Sequence, residues 1–223
     1  TSKKKIPDKK TKWITIIKKS ITKANTHHFF KVKNKNYFTH IKLNIFPDGG
    51  VARLRIYGSM KIINKVNKQI QNLTSVVNGA VPIACNNEHF GRAENILAPG
   101  TGKNMGDGWE TRRSRGKNFD WIIVKCSSPG KLNKIQLDTH HFKGNYPDKF
   151  SVQAAYIPKN ISAKDIVKKS SKWSYILNKS KLYAHKKHNF QNKIMKNKKI
   201  NYIKINIFPD GGISRIRAFG IPE

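Results

Sequence analysis

The sequence reads Ile41-Lys-Leu-Asn-Ile-Phe-Pro-Asp-Gly-Gly-Val-Ala-Arg-Leu-Arg-Ile-Tyr-Gly58 and, 162 positions later, Ile203-Lys-Ile-Asn-Ile-Phe-Pro-Asp-Gly-Gly-Ile-Ser-Arg-Ile-Arg-Ala-Phe-Gly220. Twelve of the 18 positions are identical. The similarity extends upstream with a two-residue slip, so that Trp13 matches Trp173, His28 matches His188 and Phe30 matches Phe190. Repetition at a fixed spacing indicates a repeated structural unit. We therefore infer that the chain contains two copies of one unit.

Within each copy, apolar residues alternate with polar ones on both sides of Phe-Pro-Asp-Gly-Gly. In the first copy the alternating residues are Ile41, Leu43 and Ile45, followed by Leu54 and Ile56. This period of two, interrupted by Pro and Gly, predicts a β-hairpin. We interpret Asp48 and Asp210 as turn residues that accept hydrogen bonds from local amides, with a catalytic role as the alternative.

The arginines of the repeat, Arg53, Arg55, Arg215 and Arg217, lie on the strand face opposite Leu54 and Ile216. We expect these side chains either to extend over that surface or to pair with acidic residues.

The second copy contains a full set of strand patterns. Strands are predicted at 81–85, 119–126, 132–141, 150–157 and 173–177, followed by the repeated stretch. Many short strands joined by turns are typical of an antiparallel β-sandwich. We assign residues 80–223 to one complete unit and 1–61 to the closing strands of a partial first unit, whose edges we expect to be open. Residues 62–79 are interpreted as a linker, in which Ile62, Val66, Ile70, Leu73 and Val77 predict a short amphipathic helix ended by Asn78-Gly79.

The composition is strongly basic, with a formal net charge of +33 over 223 residues. Clustered Lys and Arg would indicate a nucleic-acid partner, but here Lys alternates with Asn and apolar residues, so we predict no specific nucleic-acid binding. The two cysteines, Cys85 and Cys126, lack metal-binding spacing and are interpreted as buried strand residues in a reducing compartment. No apolar run is long enough to span a membrane. A cytoplasmic protein is expected.

One chemically unusual block is Gly106-Asp-Gly-Trp-Glu-Thr-Arg-Arg-Ser-Arg115. The chain uses 37 Lys but only 8 Arg, and all the arginines lie in this block, at Arg92 or in the repeated stretch. Arg binds planar carboxylates and ureas through two parallel hydrogen bonds, which Lys cannot do. The block therefore favours a small-molecule site, and the alternative is a salt-bridged strand end at the surface.

A second block is Asp138-Thr-His-His-Phe-Lys-Gly-Asn-Tyr-Pro-Asp148. Strand alternation places Thr139 and His141 on the same face as Ile135 and Leu137, while Asp138 points the other way. Thr139 and His141 could then line a pocket at the end of the strand, or His141 could be a structural histidine.

These blocks resemble the allantoicase family. The matching motifs are His89-Phe90-Gly91, Glu94-Asn95 to Pro99-Gly100, Met105 to Arg113, Asp120-Trp121, Asp138 to Asp148 and the repeated Asn-Ile-Phe-Pro-Asp-Gly-Gly. The resemblance covers nearly the whole chain. It implies two tandem jelly-roll sandwiches similar to galactose-binding domains, of which the first is partial here. It also implies hydrolysis of allantoate to ureidoglycolate and urea, as a step of purine and allantoin breakdown. We expect a homo-oligomer.

The site residues implied jointly by the blocks and the resemblance fall into two groups. The hydrolysis requires a proton donor for the leaving nitrogen, a base for water and positive charge on the carboxylate. We assign catalytic roles to Glu110 and His141 as the acid and base pair, with Asp107 and Asp138 orienting the ureido groups. The substrate-binding group comprises Arg113 with Arg112 or Arg115 as the carboxylate clamp, Lys143, Asn145 and His89 as further contacts, and Trp109 as a pocket wall.

Two questions stay open at this point. Metal or other cofactor dependence is not decided, because His89, His140, His141, His185 and His188 show no recognised ligand spacing. The alternative to an enzyme is a non-catalytic ligand-binding sandwich or an inactive allantoicase fragment. Strand alternation also separates Glu110 and Arg112 from Thr111 and Arg113, unless Gly106 and Gly108 allow the backbone to bend.

Overall fold

A computed structural model describes residues 7–58, 69–114 and 118–223. The chain divides into two compact units, residues 1–61 and 62–223. No helix in the described residues is long and apolar enough to cross a membrane.

The described part of the first unit, residues 7–58, contains turns and bends but no strand and no helix. The apolar residues of its repeated stretch are exposed, with Leu43 at 51% and Ile45 at 46%. The prediction that residues 1–61 form closing strands is therefore wrong for residues 7–58. A strand is held by hydrogen bonds to a neighbouring strand, and alternation of apolar residues alone does not supply that neighbour.

The second unit is built mainly from strands. The described part has β1 (Gln71–Asn72), β2 (Val81–Cys85), β3 (Trp109–Glu110), β4 (Asp120–Asp138), β5 (Lys149–Ala155), β6 (Ser174–Lys181), β7 (Lys187–Phe190), β8 (Ile200–Phe208), β9 (Gly212–Ile213) and β10 (Arg215–Pro222). One α-helix, α1 (Ala163–Ser170), and three 3₁₀ turns, Val76–Asn78, Ala93–Leu97 and Met105–Asp107, complete it.

Strand β4 is 19 residues long and takes part in both layers of a sandwich. Its first part, Asp120 to Lys125, pairs with β2 and β8, and β8 continues to β5 and β6. Its second part, Gly130 to Asp138, pairs with β10, which in turn pairs with β1. Residues from Ile135 on also pair with β7. All pairings are antiparallel. The predicted antiparallel β-sandwich is confirmed, but the strands predicted at 119–126 and 132–141 are one strand that bends through Ser127–Pro129.

The core lies between these two layers. Ile122 and Val124 from the first part of β4 and Leu132 and Leu137 from its second part belong to one buried cluster. Helix α1 covers the outer face of the first layer, where Ile166 packs with a smaller buried cluster. Ser162 caps this helix by accepting a hydrogen bond from the amide of Asp165 at 3.1 Å. The predicted buried strand positions of Cys85 and Cys126 hold in part: Cys126 on β4 is buried and Cys85 on β2 is half-buried.

The repeated stretch of the second copy does not form the predicted hairpin. Strand β8 pairs with β4 and β5, whereas β10 pairs with β4 and β1. The two strands therefore lie in different layers, and Phe-Pro-Asp-Gly-Gly carries the chain from one layer to the other. Turn residues and alternation are common to both arrangements, which is why the pattern did not separate them.

The predicted helix of the linker is also wrong where the structure describes it. Residues 62–68 lie outside the described residues, and residues 69–79 contain β1 and a 3₁₀ turn instead of an α-helix. Leu73 is fully buried and its amide donates to Ala218 O at 2.7 Å. Gly79 adopts φ 103° and ends the turn. Residues from Gln71 on are thus part of the second layer.

Candidate functional site

Three connecting segments meet at one end of the sandwich: 86–114, 139–148 and 209–215. The short strand β3 pairs with β9, with Trp109 opposite Ile213 and Glu110 opposite Gly212. On the other side, the amide of Gly212 donates to Asn145 O at 2.7 Å. The Phe-Pro-Asp-Gly-Gly turn therefore lies between the two chemical blocks that the sequence analysis singled out.

Glycine is required at two positions of this turn. Gly211 has φ 126°, and a Cβ there would lie 2.6 Å from Asn145 O. A Cβ on Gly212 would lie 1.9 Å from the ring of Phe142, which is fully buried. The turn can approach the 139–148 segment this closely only because both residues lack side chains.

Glu110 and Asn145 connect the two blocks directly. Glu110 is 9% exposed, and Asn145 Nδ2 donates a hydrogen bond to its carboxylate oxygen Oε1. The backbone oxygen of Glu110 accepts from the amides of His89 and Phe90, at 3.1 and 3.2 Å. A carboxylate held in this way has a fixed orientation near the surface.

The arginines follow immediately and are fixed through their backbone. The amide of Thr111 donates to Gly211 O at 3.1 Å, that of Arg112 to Asn87 Oδ1 at 3.4 Å, and that of Ser114 to Asp210 Oδ2 at 2.6 Å. Thr111 is buried, whereas the side chains of Arg112 and Arg113 are both exposed.

The predicted alternation of faces is wrong here. Strand β3 ends at Glu110, so Glu110 and Thr111 are both buried and Arg112 and Arg113 are both exposed. Arg115 lies outside the described residues. The backbone bend considered as an exception is therefore the arrangement found.

Asp107 is bound to Arg215, the first of the two arginines in the repeated stretch 203–220. Arg215 Nη2 lies 2.8 Å from Asp107 Oδ2, and the guanidinium also donates to the backbone oxygens of Asp107 and Ser214. A backbone hydrogen bond from Lys103 and the contact with Arg215 lower the pKa of Asp107. Asp107 is therefore held ionised as the partner of a nearly buried cation, whose side chain is 5% exposed.

Arg217 has a comparable role farther along β10. Its guanidinium donates to the backbone oxygens of Ile96, Ala98 and Gly100, at 3.2, 2.7 and 2.8 Å. The repeated arginines were expected either to extend over the strand surface or to pair with acidic residues, and Arg215 pairs with an acid, Asp107. Arg215 and Arg217 together fix the long segment 86–108 against β10.

His141 and Asp138 lie beside this segment, but not as the alternation predicted. Strand β4 ends at Asp138, Thr139 is fully buried, and His141 lies in the following turn with φ 73°. His141 Nε2 lies 2.9 Å from Gly102 O and therefore donates to it. Asp138 is 3% exposed, and its Oδ1 accepts from the amide of His140 at 2.9 Å. Among the described residues, no hydrogen bond joins His141 to Glu110.

The ring of His141 packs together with two other histidine rings, those of His140 and His185. The ring centroids of His140 and His185 are 4.1 Å apart, and those of His140 and His141 4.2 Å. His185 Nδ1 accepts from the amide of His141 at 2.9 Å, and desolvation together with the charges of His140, Lys143 and His141 lowers the pKa of His185. Across the described ranges, no group of three or more His, Cys, Asp or Glu is arranged to hold a metal ion.

The remaining site predictions fare differently. Trp109 is fully buried in the core, and its indole donates to Asn87 O at 2.8 Å. The structure therefore assigns Trp109 to the core and not to a pocket wall. His89 and Lys143 are exposed, and the His89 ring meets Phe90 edge to face at 4.3 Å. An open depression of about 420 Å³ adjoins residues 111–114, which we call the arginine segment. It is lined by Asn86, Asn87, Ser114, Asn118, Phe119, Asp120 and Trp121.

Sequence reasoning missed Asn87 and the bonding partner of Asp210, which both organise this end of the molecule. Asn87 carries no pattern of its own, since a single Asn in a long loop is uninformative. Asp210 is predicted to accept hydrogen bonds from local amides, whereas its partner Ser114 lies 96 positions away. The clustering of Arg in both stretches is the one signal in the sequence that the repeated stretch and residues 106–115 lie together.

Comparison with known proteins agrees with the motifs. The family model for the allantoicase repeat matches residues 1–61 and 71–223. The chain is 41% identical over 216 residues to a probable allantoicase of Burkholderia mallei, covering 96% of this chain and 64% of that protein. It is 44% identical over 217 residues to a probable allantoicase of Pseudomonas fluorescens, with 96% and 65% covered.

A crystal structure of allantoicase from Saccharomyces cerevisiae is similar as well. It has a TM-score of 0.59 and 35% sequence identity, and the match covers 68% of this chain and 43% of that one. The chain thus spans a little under two thirds of the length of the curated relatives it matches. With a family match over nearly all of its residues and a sandwich like that of the yeast structure, the chain belongs to the allantoicase repeat family.

Proposed function

We propose that this chain provides an allantoicase active site, which hydrolyses allantoate to ureidoglycolate and urea in the cytoplasm, within a homo-oligomer. The observation that carries the proposal is the hydrogen bond from Asn145 to Glu110, because it brings together two blocks of polar residues that lie 35 positions apart. Structural requirements alone do not explain a buried carboxylate, two exposed arginines and an orienting amide at one end of a sandwich.

The reaction suits these groups chemically. Allantoate carries one carboxylate and two ureido groups on a single carbon. Water adds its oxygen to that carbon as the bond to one ureido nitrogen breaks, the departing nitrogen gains a proton, and the attacking water loses one. The products are urea and ureidoglycolate.

Arg112 and Arg113 are proposed to bind the substrate carboxylate. Their side chains are exposed, and they make no hydrogen bond or ion pair with any other described residue. Guanidinium groups that are free of protein partners keep all their donors for a ligand, and two of them can neutralise and orient one carboxylate. Lys143 and His89 are exposed and lie in or close to the same blocks of sequence. They are proposed as further contacts to the substrate.

Glu110 and His141 are proposed as the acid and base pair. Glu110 is held by Asn145, and His141 donates through Nε2 to Gly102 O, which leaves its Nδ1 as the nitrogen that can accept a proton. Since no hydrogen bond joins the two side chains, each would exchange its proton with the substrate or with water and not with the other. Asp107 and Asp138 are proposed to hold the surrounding loops in place and to orient the ureido groups. Asp107 does so while paired with Arg215, and Asp138 while accepting a hydrogen bond from the amide of His140.

Urea release from allantoate tests the proposal on the chain as it stands. We expect the chain to turn over allantoate, and Glu110→Gln to lower kcat about 100-fold. Arg113→Lys should raise KM, because Lys keeps the charge but cannot form the two parallel hydrogen bonds of a guanidinium group. Arg53→Lys is a control for the Arg-to-Lys change itself, because the proposal gives Arg53 no role in the site. Binding of allantoate without urea release would favour a non-catalytic module, and no binding at all would reject the proposal.

A further inference from the structure

The arginine segment is held by the repeated turn on one side and by Asn87 on the other. From Trp109 to Thr111 the backbone is paired with residues 211–213, and at Ser114 it is bonded to the carboxylate of Asp210. Arg112 and Arg113 therefore lie between two stretches of backbone, 109–111 and Ser114, that are both bonded to the repeated turn. An exposed loop of two arginines would otherwise lose conformational entropy on binding an anion, which weakens binding.

The turn that holds Asp210 is itself fixed. Gly211 and Gly212 are pressed against Asn145 O and the ring of Phe142, as described above, and β8 and β10 extend from the turn into different layers. The carboxylate of Asp210 thus has a defined position relative to the sandwich. It transmits that position to Ser114, the residue directly after the arginine pair.

We infer that Asp210 is a positioning residue for the proposed carboxylate clamp, holding Arg112 and Arg113 in the orientation that binds the substrate anion. The inference rests on the proposed function. It is distinct from catalysis, because the carboxylate of Asp210 bonds a backbone amide of the protein and acts only through the arginines.

Electrostatics and positioning predict opposite effects, which makes the inference decidable. Asp210 is an anion close to a site for an anion, so removing its charge would by itself tighten binding of allantoate. If the carboxylate positions the arginines, its removal loosens them and weakens binding instead. Asp210→Asn retains an acceptor oxygen in the same place, and Asp210→Glu retains the charge but displaces the oxygens by one methylene.

The chain offers a matched control in the first copy. Asp48 occupies the corresponding position of Phe46-Pro-Asp-Gly-Gly50, and Gly49 has φ 128°, close to the 126° of Gly211. Within residues 7–58 the Asp48 carboxylate accepts no hydrogen bond from another described residue. Asp48→Ala therefore removes the same group from the same turn without an arginine segment attached.

The experiment measures allantoate affinity by calorimetry and amide exchange of Ser114 by NMR in the full chain. We expect Asp210→Ala and Asp210→Glu to weaken affinity about tenfold and to speed Ser114 exchange, Asp210→Asn to restore most of both, and Asp48→Ala to change neither. Unchanged or tighter binding in Asp210→Ala would overturn the inference, and if that variant does not fold, Asp210→Glu decides. Should the wild-type chain bind no allantoate, the proposed function fails, and unchanged Ser114 exchange in the variants would then separately overturn the positioning role.

Discussion

The two copies of the repeat have nearly the same sequence but different structures. Residues 203–220 form most of β8 and β10 and are largely buried, whereas residues 41–58 form no strand and are exposed. Yet several local features are shared. Both copies have a cis peptide bond before the turn proline, at Phe46-Pro47 and Phe208-Pro209, and a glycine with φ near 127°, at Gly49 and Gly211.

A second shared feature lies upstream. His28 Nε2 accepts a hydrogen bond from the amide of Lys23 at 2.9 Å, and His188 Nε2 accepts from the amide of Tyr183 at the same distance. Each turn contains a residue with positive φ, Asn25 at 47° and His185 at 50°. Turns are therefore encoded by the few residues that form them, and strands depend on neighbours elsewhere in the chain. In the second copy those neighbours are β1, β4 and β5.

The largest expected difference between the copies concerns matched apolar positions. Ile205 is fully buried on β8, whereas its counterpart Leu43 is 51% exposed. Ile205→Ala should lower the free energy of unfolding of the second unit by about 2–5 kcal/mol, because it leaves a cavity between the layers. Urea denaturation followed by near-UV circular dichroism measures this.

Leu43→Ala is the control for that experiment. A substitution at an exposed position changes stability by less than about 0.5 kcal/mol. A loss of stability in Leu43→Ala as large as that in Ile205→Ala would show that the first copy is packed in solution, and the contrast between the copies would be wrong.

The next effect concerns the second glycine of the turn. A Cβ at Gly212 would overlap the ring of Phe142, while Gly50 has no atom within 4 Å of such a Cβ. Gly212→Ala should therefore destabilise the second unit by about 1–3 kcal/mol, as overpacking does, and Gly50→Ala should have little effect. Thermal unfolding of both variants measures the difference, and equal transitions would refute it.

The smallest effect is a pH dependence. Burial lowers the pKa of His188, and both ring nitrogens are used, Nε2 as an acceptor from Tyr183 and Nδ1 as a donor to Leu137 O at 3.3 Å. Between the folded and unfolded pKa values, the His188 ring is therefore protonated in the unfolded chain and neutral in the folded chain. The stability contributed by neutral His188 is present above the unfolded pKa of about 6.5 and is lost as pH falls toward the lower folded value.

His188→Gln should therefore have a flatter stability profile than the wild type between pH 7.5 and 5.5, measured as the urea midpoint at each pH. His28→Gln, which removes the same five-residue turn contact in the first copy, should leave the profile of the second unit unchanged. A wild-type profile that rises on acidification would contradict the assigned sign.

The sequence allowed much of the second unit to be predicted, for a physical reason. Strands β2, β5 and β8 were found because apolar runs or alternation bounded by turn residues reflect burial directly. The bend within β4 and the crossing between layers after Phe208 were not found, because pairing partners distant in sequence decide them. Helix α1 and β7 were also missed, since Lys-rich segments with few apolar residues carry little periodicity.

For the candidate site, the sequence indicated which blocks carry unusual chemistry, but not how they are arranged. The departures from a Lys-rich composition drew attention to the blocks that contain Glu110 and Arg113. The burial of Trp109 could not be foreseen, since a tryptophan beside charged residues is equally common in a pocket and in a core. The hydrogen bond between Ser114 and Asp210 depends on the turn at 209–213 lying between the two blocks, which no local pattern specifies.

Strand β4 has a consequence for the synthesis of this protein. Both of its halves pair with strands that are made much later, Asp120 to Lys125 with β8 and Gly130 to Asp138 with β10. Strand β8 begins 62 positions and β10 77 positions after the end of β4, which at 5–20 residues per second is a delay of about 3 to 15 s. During that interval the apolar residues of β4 have been made, but these partners have not. A translation stop before β8 would therefore remove partners of both layers at once.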